Sequence, residues 1–124
     1  MSLQLLGLMK KAGAIATGSE RAHEAVEKGK ARLLILPEDA PERAKRDAEH
    51  FLQGRRALKI TVPYTAQELG RSTGGTSCNI AVISDPGFAE AFARSLGEEY
   101  KETAEELASR KERLARRKNK KKGD

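Results

Sequence analysis

Leu33-Leu34-Ile35-Leu36 is an unbroken apolar run closed by Pro37. A strand with one face to water alternates apolar and polar residues. A run with no polar member buries both faces. This stretch therefore requires a sheet with something packed on each side. The flanking sequence supplies cover. Ala22, Ala25 and Val26 recur at helical spacing ahead of a stop at Gly29. Asp39 as a cap, with Pro41 in the first turn, opens a further helix carrying Ala44, Ala48, Phe51 and Leu52 and ending near Gly54.

Other segments complete the pattern. Leu3 to Lys11 reads as a helix ended by Gly13, and Ala14 to Ala16 as a very short strand. Leu58-Lys59-Ile60-Thr61-Val62 alternates as a half-covered strand does, and Pro63 ends it. Thr65-Ala66-Gln67-Glu68 is a capping box before a short helix, because Gly70, Gly74 and Gly75 follow. Ile80-Ala81-Val82-Ile83 reads as a second buried strand. Asp85-Pro86-Gly87 then opens a helix with Phe88, Ala89, Phe92, Ala93 and Leu96 on its apolar face. Strands alternating with helices give an α/β class, with helices on both faces of a small sheet. We expect a folded unit over residues 1–97 and a basic extension over 98–124, helical and fraying near Asn119. Leu96, Tyr100, Leu107 and Leu114 form a weak heptad stripe in that extension. It can dock a partner helix or pack back on the domain.

Charge and cysteine content narrow the function classes. A chain of 124 residues suits one domain with a tail. Cys78 is the lone cysteine, so no internal disulfide or cysteine metal cluster forms, which fits a reducing compartment. With His23 and His50 the only histidines, no metal site is expected. No apolar run approaches the ~20 residues of a membrane span. Met1-Ser2-Leu3 does not open a secretory signal, so a cytoplasmic location is expected. Lys and Arg number 24 against 18 acids, a net charge of +6. That excess favours a nucleic-acid partner. It is concentrated between Arg110 and Lys122, where Glu112 is the one acid. The remainder of the chain is close to neutral or slightly acidic.

No set of residues points to catalysis or to a cofactor. Gly13 to Gly18 has the glycine spacing of a phosphate loop, but Ser19-Glu20 follows, and the lysine that would reach the phosphates is absent. Cys78, next to Ser77 in a glycine-rich loop, reads as an incidental thiol. His50 reads as solvent-facing, and His23, between Glu20 and Glu27, as part of a solvated helix face. The polar cluster at Gly18, Ser19, Glu20 and Arg21 has two readings. In one, Thr17 and Glu20 form a capping box and Glu24 pairs with Lys28. In the other, the free amides and dipole of the helix tip make a binding edge.

Gly18 to Asp39, then Glu68-Leu69-Gly70, then Ala81-Val82-Ile83, resembles the kink-turn RNA-binding ribosomal proteins of the L-seven-Ae and L-thirty-e types. The opening LLGLMKKAG and the closing DPGFAEAF look like the small bacterial, YlxQ-like branch. The resemblance spans Leu3 to about Leu96. It implies a three-layer α/β/α sandwich around a four-stranded mixed sheet. It also implies an RNA-reading edge at the tip of the second helix and a nearby loop that holds a flipped-out base. Both suit recognition of splayed bases rather than a regular duplex. The family pattern Gly-x-Asn-Glu-x-x-Lys falls on Gly18 to Glu24. The glycine matches, while Glu20, Arg21 and Glu24 replace Asn, Glu and Lys. Ala14, Ala16 and Thr17 stand where lysines usually precede the glycine. Glu24 would repel phosphate, whereas Arg21 can bond guanine edges bidentately.

The resemblance thus implies a non-enzymatic protein that binds structured RNA, ribosomal RNA among the candidates, as a monomer or weak dimer. Its contacts would be Gly18, Ser19, Glu20 and Arg21, with the loop Ser72, Thr73, Gly74, Gly75, Thr76, Ser77 and Cys78. Arg110, Arg113, Arg116 and Arg117, with Lys120, Lys121 and Lys122, would add sequence-independent phosphate contacts. The alternative is a protein–protein adaptor of the translation machinery whose RNA edge has been lost.

Overall fold

In the computed structural model, which describes residues 2–122 and side chains as far as Arg117, the apolar run forms strand β2, Leu33–Leu36. All of its residues are buried. Its neighbours follow from the topology. With β1 at Ile15–Thr17, β3 at Leu58–Thr61 and β4 at Ala81–Ile83, the sheet order is β1-β4-β2-β3. Strand β4 runs antiparallel to both neighbours, with Ile83 opposite Ile15 on one side and Leu33 on the other. Strands β2 and β3 are parallel, with Leu33 beside Leu58.

Alternation along β2 divides the molecule into two cores. Leu33 and Ile35 pack with Leu6, Met9, Ile83 and Phe92. Leu34 and Leu36 pack with Ala22, Val26, Ala48 and Val82. Successive side chains point to opposite faces, so this run stabilises both layers at once. One layer holds α1 (Ser2–Ala12), α4 (Ala66–Ser72) and α5 (Pro86–Ser95). The other holds α2 (Ser19–Glu27) and α3 (Glu42–Leu52). The α/β class with helices on both faces of a four-stranded mixed sheet is therefore as expected.

Two expected caps form. The Thr65 hydroxyl accepts from the Glu68 amide at 3.1 Å, and the Glu68 carboxylate accepts from the Thr65 amide at 2.9 Å. The Asp85 carboxylate accepts from the Phe88 amide at 2.8 Å. Two others do not. Thr17 pairs with Ala81 in the sheet, and the N-cap of α2 is Gly18, with φ 91° and no side-chain cap. The Thr17–Glu20 capping box is thereby corrected: strand pairing takes the residue that would have capped. Asp39 does not cap α3, whose N-cap is Pro41. Its carboxylate instead accepts from the Ala66 amide at 2.8 Å, tying the β2–α3 loop to the start of α4.

Beyond a 3-10 turn at Glu98–Tyr100, helix α6 (Lys101–Lys122) lies along α5. Ala104 and Leu107 are buried in the same core as Phe92. The Tyr100 hydroxyl donates to the Thr61 carbonyl at 2.8 Å, and Lys111 meets Glu90 at 2.7 Å. Of the two uses open to the stripe, packing back on the domain is the one observed. The helix continues past Asn119, where fraying was expected. The side chains of Lys120, Lys121 and Lys122 lie outside the described residues.

Candidate nucleic-acid interface

Strand β1 delivers the chain to Gly18, whose amide donates to the Ile80 carbonyl at 2.9 Å. Ile80 directly follows the loop 72–79. One main-chain bond therefore ties the tip of α2 to the end of that loop. Between them lies a shallow depression of about 260 Å³, bordered by Lys10, Thr17, Gly18, Gly74, Gly75 and Ser77. The helix tip and the loop, distant in sequence, share one surface as expected.

The loop is shaped by glycines. The Gly75 amide returns to the Gly70 carbonyl at 2.7 Å, and Gly74 has φ 84°. A Cβ on Gly70 would stand 2.4 Å from the Ser77 Cα, so only glycine lets the loop lie against α4. Two residues expected to touch RNA face inward. Thr73 is buried and its hydroxyl donates to the Leu69 carbonyl at 2.9 Å. Cys78 is buried, its thiol donates to the Ile80 carbonyl, and burial pushes its pKa up. Such a thiol is a poor nucleophile. Ser72 is half-buried and donates to the Glu68 carbonyl. Gly74, Gly75, Thr76 and Ser77 are exposed.

At the tip itself, Glu20 and Arg21 are exposed. The Ser19 hydroxyl donates to Asp47 on α3 at 3.3 Å, which leaves it less available to a ligand. No side chain caps α2, so the first-turn amides are not claimed by one. Glu24 meets Lys28 at 2.6 Å, and that lysine holds its carboxyl below the usual range. His23 stacks on Phe51, with ring centroids 4.4 Å apart, and sits 3.3 Å from Glu27. It braces α2 against α3. Lys10 is the site residue that sequence reasoning overlooked. It belongs to the last turn of α1, and the signal was the Lys10-Lys11 pair just before Gly13.

The described cations of the extension, Arg110, Arg113, Arg116 and Arg117, are not brought to this surface. The sheet register separates them. Thr17 and Ala81 mark the end that carries Gly18, while Leu33, Leu58 and Ile83 mark the other end. Arg110, Arg113 and Arg117 line a cleft at that second end, beside Arg32 and Ala57. Arg110 donates to the Arg56 carbonyl. Arg116 pairs with Glu112 at 2.7 Å. Among the described residues, no group of three or more His, Cys, Asp or Glu could hold a metal ion. No helix among them is long and apolar enough to cross a membrane.

Residues 2–93 match the family described as ribosomal protein L7Ae/L30e/S12e/Gadd45. The chain is also similar to the solved structure of a protein of unknown function from Bacillus halodurans C. That match has 30% identity and a TM-score of 0.69, and covers 78% of this chain and 97% of the other. A second similar structure is the Giardia lamblia 15.5kD RNA binding protein, at 21% identity and a TM-score of 0.62, covering 85% of each chain. The second likeness is one of fold.

Proposed function

Because the chain belongs to the ribosomal protein L7Ae/L30e/S12e/Gadd45 family, we propose that it binds structured RNA of the kink-turn kind, as a cytoplasmic, ribosome-associated protein of the YlxQ-like branch. The observation that carries this reading is the bond from the Gly18 amide to the Ile80 carbonyl. It joins an uncapped helix tip and a glycine-rich loop into one exposed polar surface. A bent RNA can meet such a surface, because its unstacked bases can reach the loop while the tip enters the widened groove. The acting groups are the first-turn amides of α2, Arg21 and Lys10, with backbone from Gly74 to Ser77. Thr73 and Cys78 hold the loop from beneath. Arg21 takes on base recognition, and Lys10 supplies a charge near the missing lysines. The Giardia protein of similar fold is named as RNA binding, which agrees with this reading.

The adaptor alternative rests on Glu24 and the missing lysines, with the stripe of α6 as its docking face. Leu107 is buried within the chain and the Tyr100 hydroxyl is bonded to Thr61, so these two residues are not free to dock a partner helix. The test is binding to a kink-turn RNA and to an unkinked duplex of the same length, at two salt concentrations. We expect preference for the kink-turn and loss of that preference in Arg21→Ala. Equal affinity for both RNAs would sink the specific reading.

A further inference from the structure

A second cleft lies away from the helix tip. It has a volume of about 540 Å³ and lies at the opposite end of the sheet. Its walls come from parts of the chain far apart in sequence. Arg32 precedes β2, and Arg55 and Arg56 lie between α3 and β3. The facing wall is α6, which contributes Arg110, Lys111, Arg113 and Arg117. Ala31, Ala57 and Leu114 lie among these cations as an apolar floor.

The charges within the cleft do not cancel. Glu106 is the one acid in its lining, and it is shared by Arg110 at 3.0 Å and Arg113 at 3.3 Å. Two acids outside the lining meet two more of the cations: Glu27 pairs with Arg55 at 3.2 Å, and Glu90 pairs with Lys111 at 2.7 Å and Arg94 at 2.8 Å. Even with both counted, cations exceed carboxylates in this cleft. Arg32 adds an independent sign. Its Nε is buried with no hydrogen-bond partner among the described residues. Buried guanidinium nitrogens are normally bonded, so Arg32, which lines this cleft, carries an unmet donor.

We infer that this cleft is a second RNA site, which grips the phosphodiester backbone of an RNA segment other than the one held at Gly18. Arginine predominates among its cations, and guanidinium forks match phosphate oxygens in pairs, as lysine cannot. The cleft is open along α6, so it accepts a chain of charges rather than one enclosed ion. Strand β2, 4 residues long, puts about 13 Å between the two ends of the sheet. One bound nucleotide cannot serve both. The protein therefore clamps two RNA segments, reading shape at one end and neutralising backbone at the other. The choice of RNA over an acidic peptide rests on the RNA-binding reading above; the presence of an anion site does not.

The test uses the full chain and a short oligouridine RNA, which offers phosphates but no kink. Arg56→Gln/Arg117→Gln is the variant, because both side chains are exposed and neither is hydrogen-bonded among the described residues. A matching melting curve verifies its fold. We expect about tenfold weaker binding, with the slope of log affinity against log salt reduced by about 1.4 for two lost single-strand contacts. Amide shifts on titration should appear at Arg32, Arg56 and Arg110. Unchanged affinity and slope in the variant would overturn the proposal, as would shifts confined to Gly18 and Gly74. Tight binding of a polyglutamate peptide at Arg56, with none of oligouridine, would overturn RNA as the ligand. Loss of kink-turn preference with oligouridine still bound at Arg56 would remove the tip reading and support this one.

Discussion

Gly70 and Ser77 approach so closely that a Cβ on the glycine would stand 2.4 Å from the Ser77 Cα and amide nitrogen alike. The contact is backbone on both sides, so no side chain can swing away. Gly70→Ala must push the loop 72–79 off α4, which also strains the Gly75–Gly70 bond. We expect a loss of about 1–3 kcal/mol, the usual cost of overpacking. Chemical denaturation measures it, and kink-turn binding should fall together with it. Wild-type stability in this variant would show that the loop rests elsewhere.

Glu24 faces the solvent beside the helix tip, paired with Lys28. Glu24→Lys removes a repelling carboxylate and places an ammonium in the family's usual position. Affinity for kink-turn RNA should rise, and the salt slope should steepen by about 0.9 for one added duplex phosphate contact. The lost pair and the new like-charge neighbour cost only a few tenths of a kcal/mol. Isothermal titration at two salt concentrations decides the matter; weaker binding would place Glu24 outside the RNA surface.

Glu90 joins α5 to α6 through Lys111 and pairs with Arg94 on its own helix, and hydrogen bonds from those two cations hold its carboxyl below the usual range. A lowered folded-state pKa gives stability that is fully present above the unfolded carboxylate value, about 4.3, and fades as pH falls through the folded value. Glu90→Gln should thus melt below wild type at neutral pH, by under about 1 kcal/mol. The two curves should converge in acid. A constant gap across pH would mean that the carboxylate's charge is irrelevant.

Leu107 is 3% exposed and packs in the core that contains Phe92. Leu107→Ala should cost about 2–5 kcal/mol, the range for a buried leucine truncated to a cavity. Urea unfolding measures this. A loss under half a kcal/mol would mean that α6 is an appendage. For the same reason, cutting the chain after Gly97 is a poor probe of the basic cleft, since it strips core as well as charge.

The chain's local signals translated well where one segment decides its own structure. The run Leu33–Leu36 required cover on two sides and has it. The caps at Thr65 and Asp85 need only residues three positions apart, and both form. Readings failed where a distant partner competed. Thr17 was lost as a cap to Ala81 in the sheet, and Asp39 to an amide 27 residues away. The surface that unites Gly18 with Gly74 was legible through resemblance, because spacing alone left the tip as cap or edge. The basic cleft was not legible. Arg32, Arg56 and Arg110 become neighbours only when α6 folds back along the domain, and the sequence showed α6 as a basic helical extension whose stripe left its docking open.

The Tyr100–Thr61 bond has one more consequence. Strand β3 ends the sheet, and its outer rim offers main-chain groups to any passing strand. Tyr100 occupies the Thr61 carbonyl, and Arg110 occupies the Arg56 carbonyl just before the strand begins. Lys59, exposed between them, adds a charge that an incoming chain would have to desolvate. Helix α6 thus works as a selvedge, finishing a border that would otherwise invite copies of the molecule to knit together at high concentration.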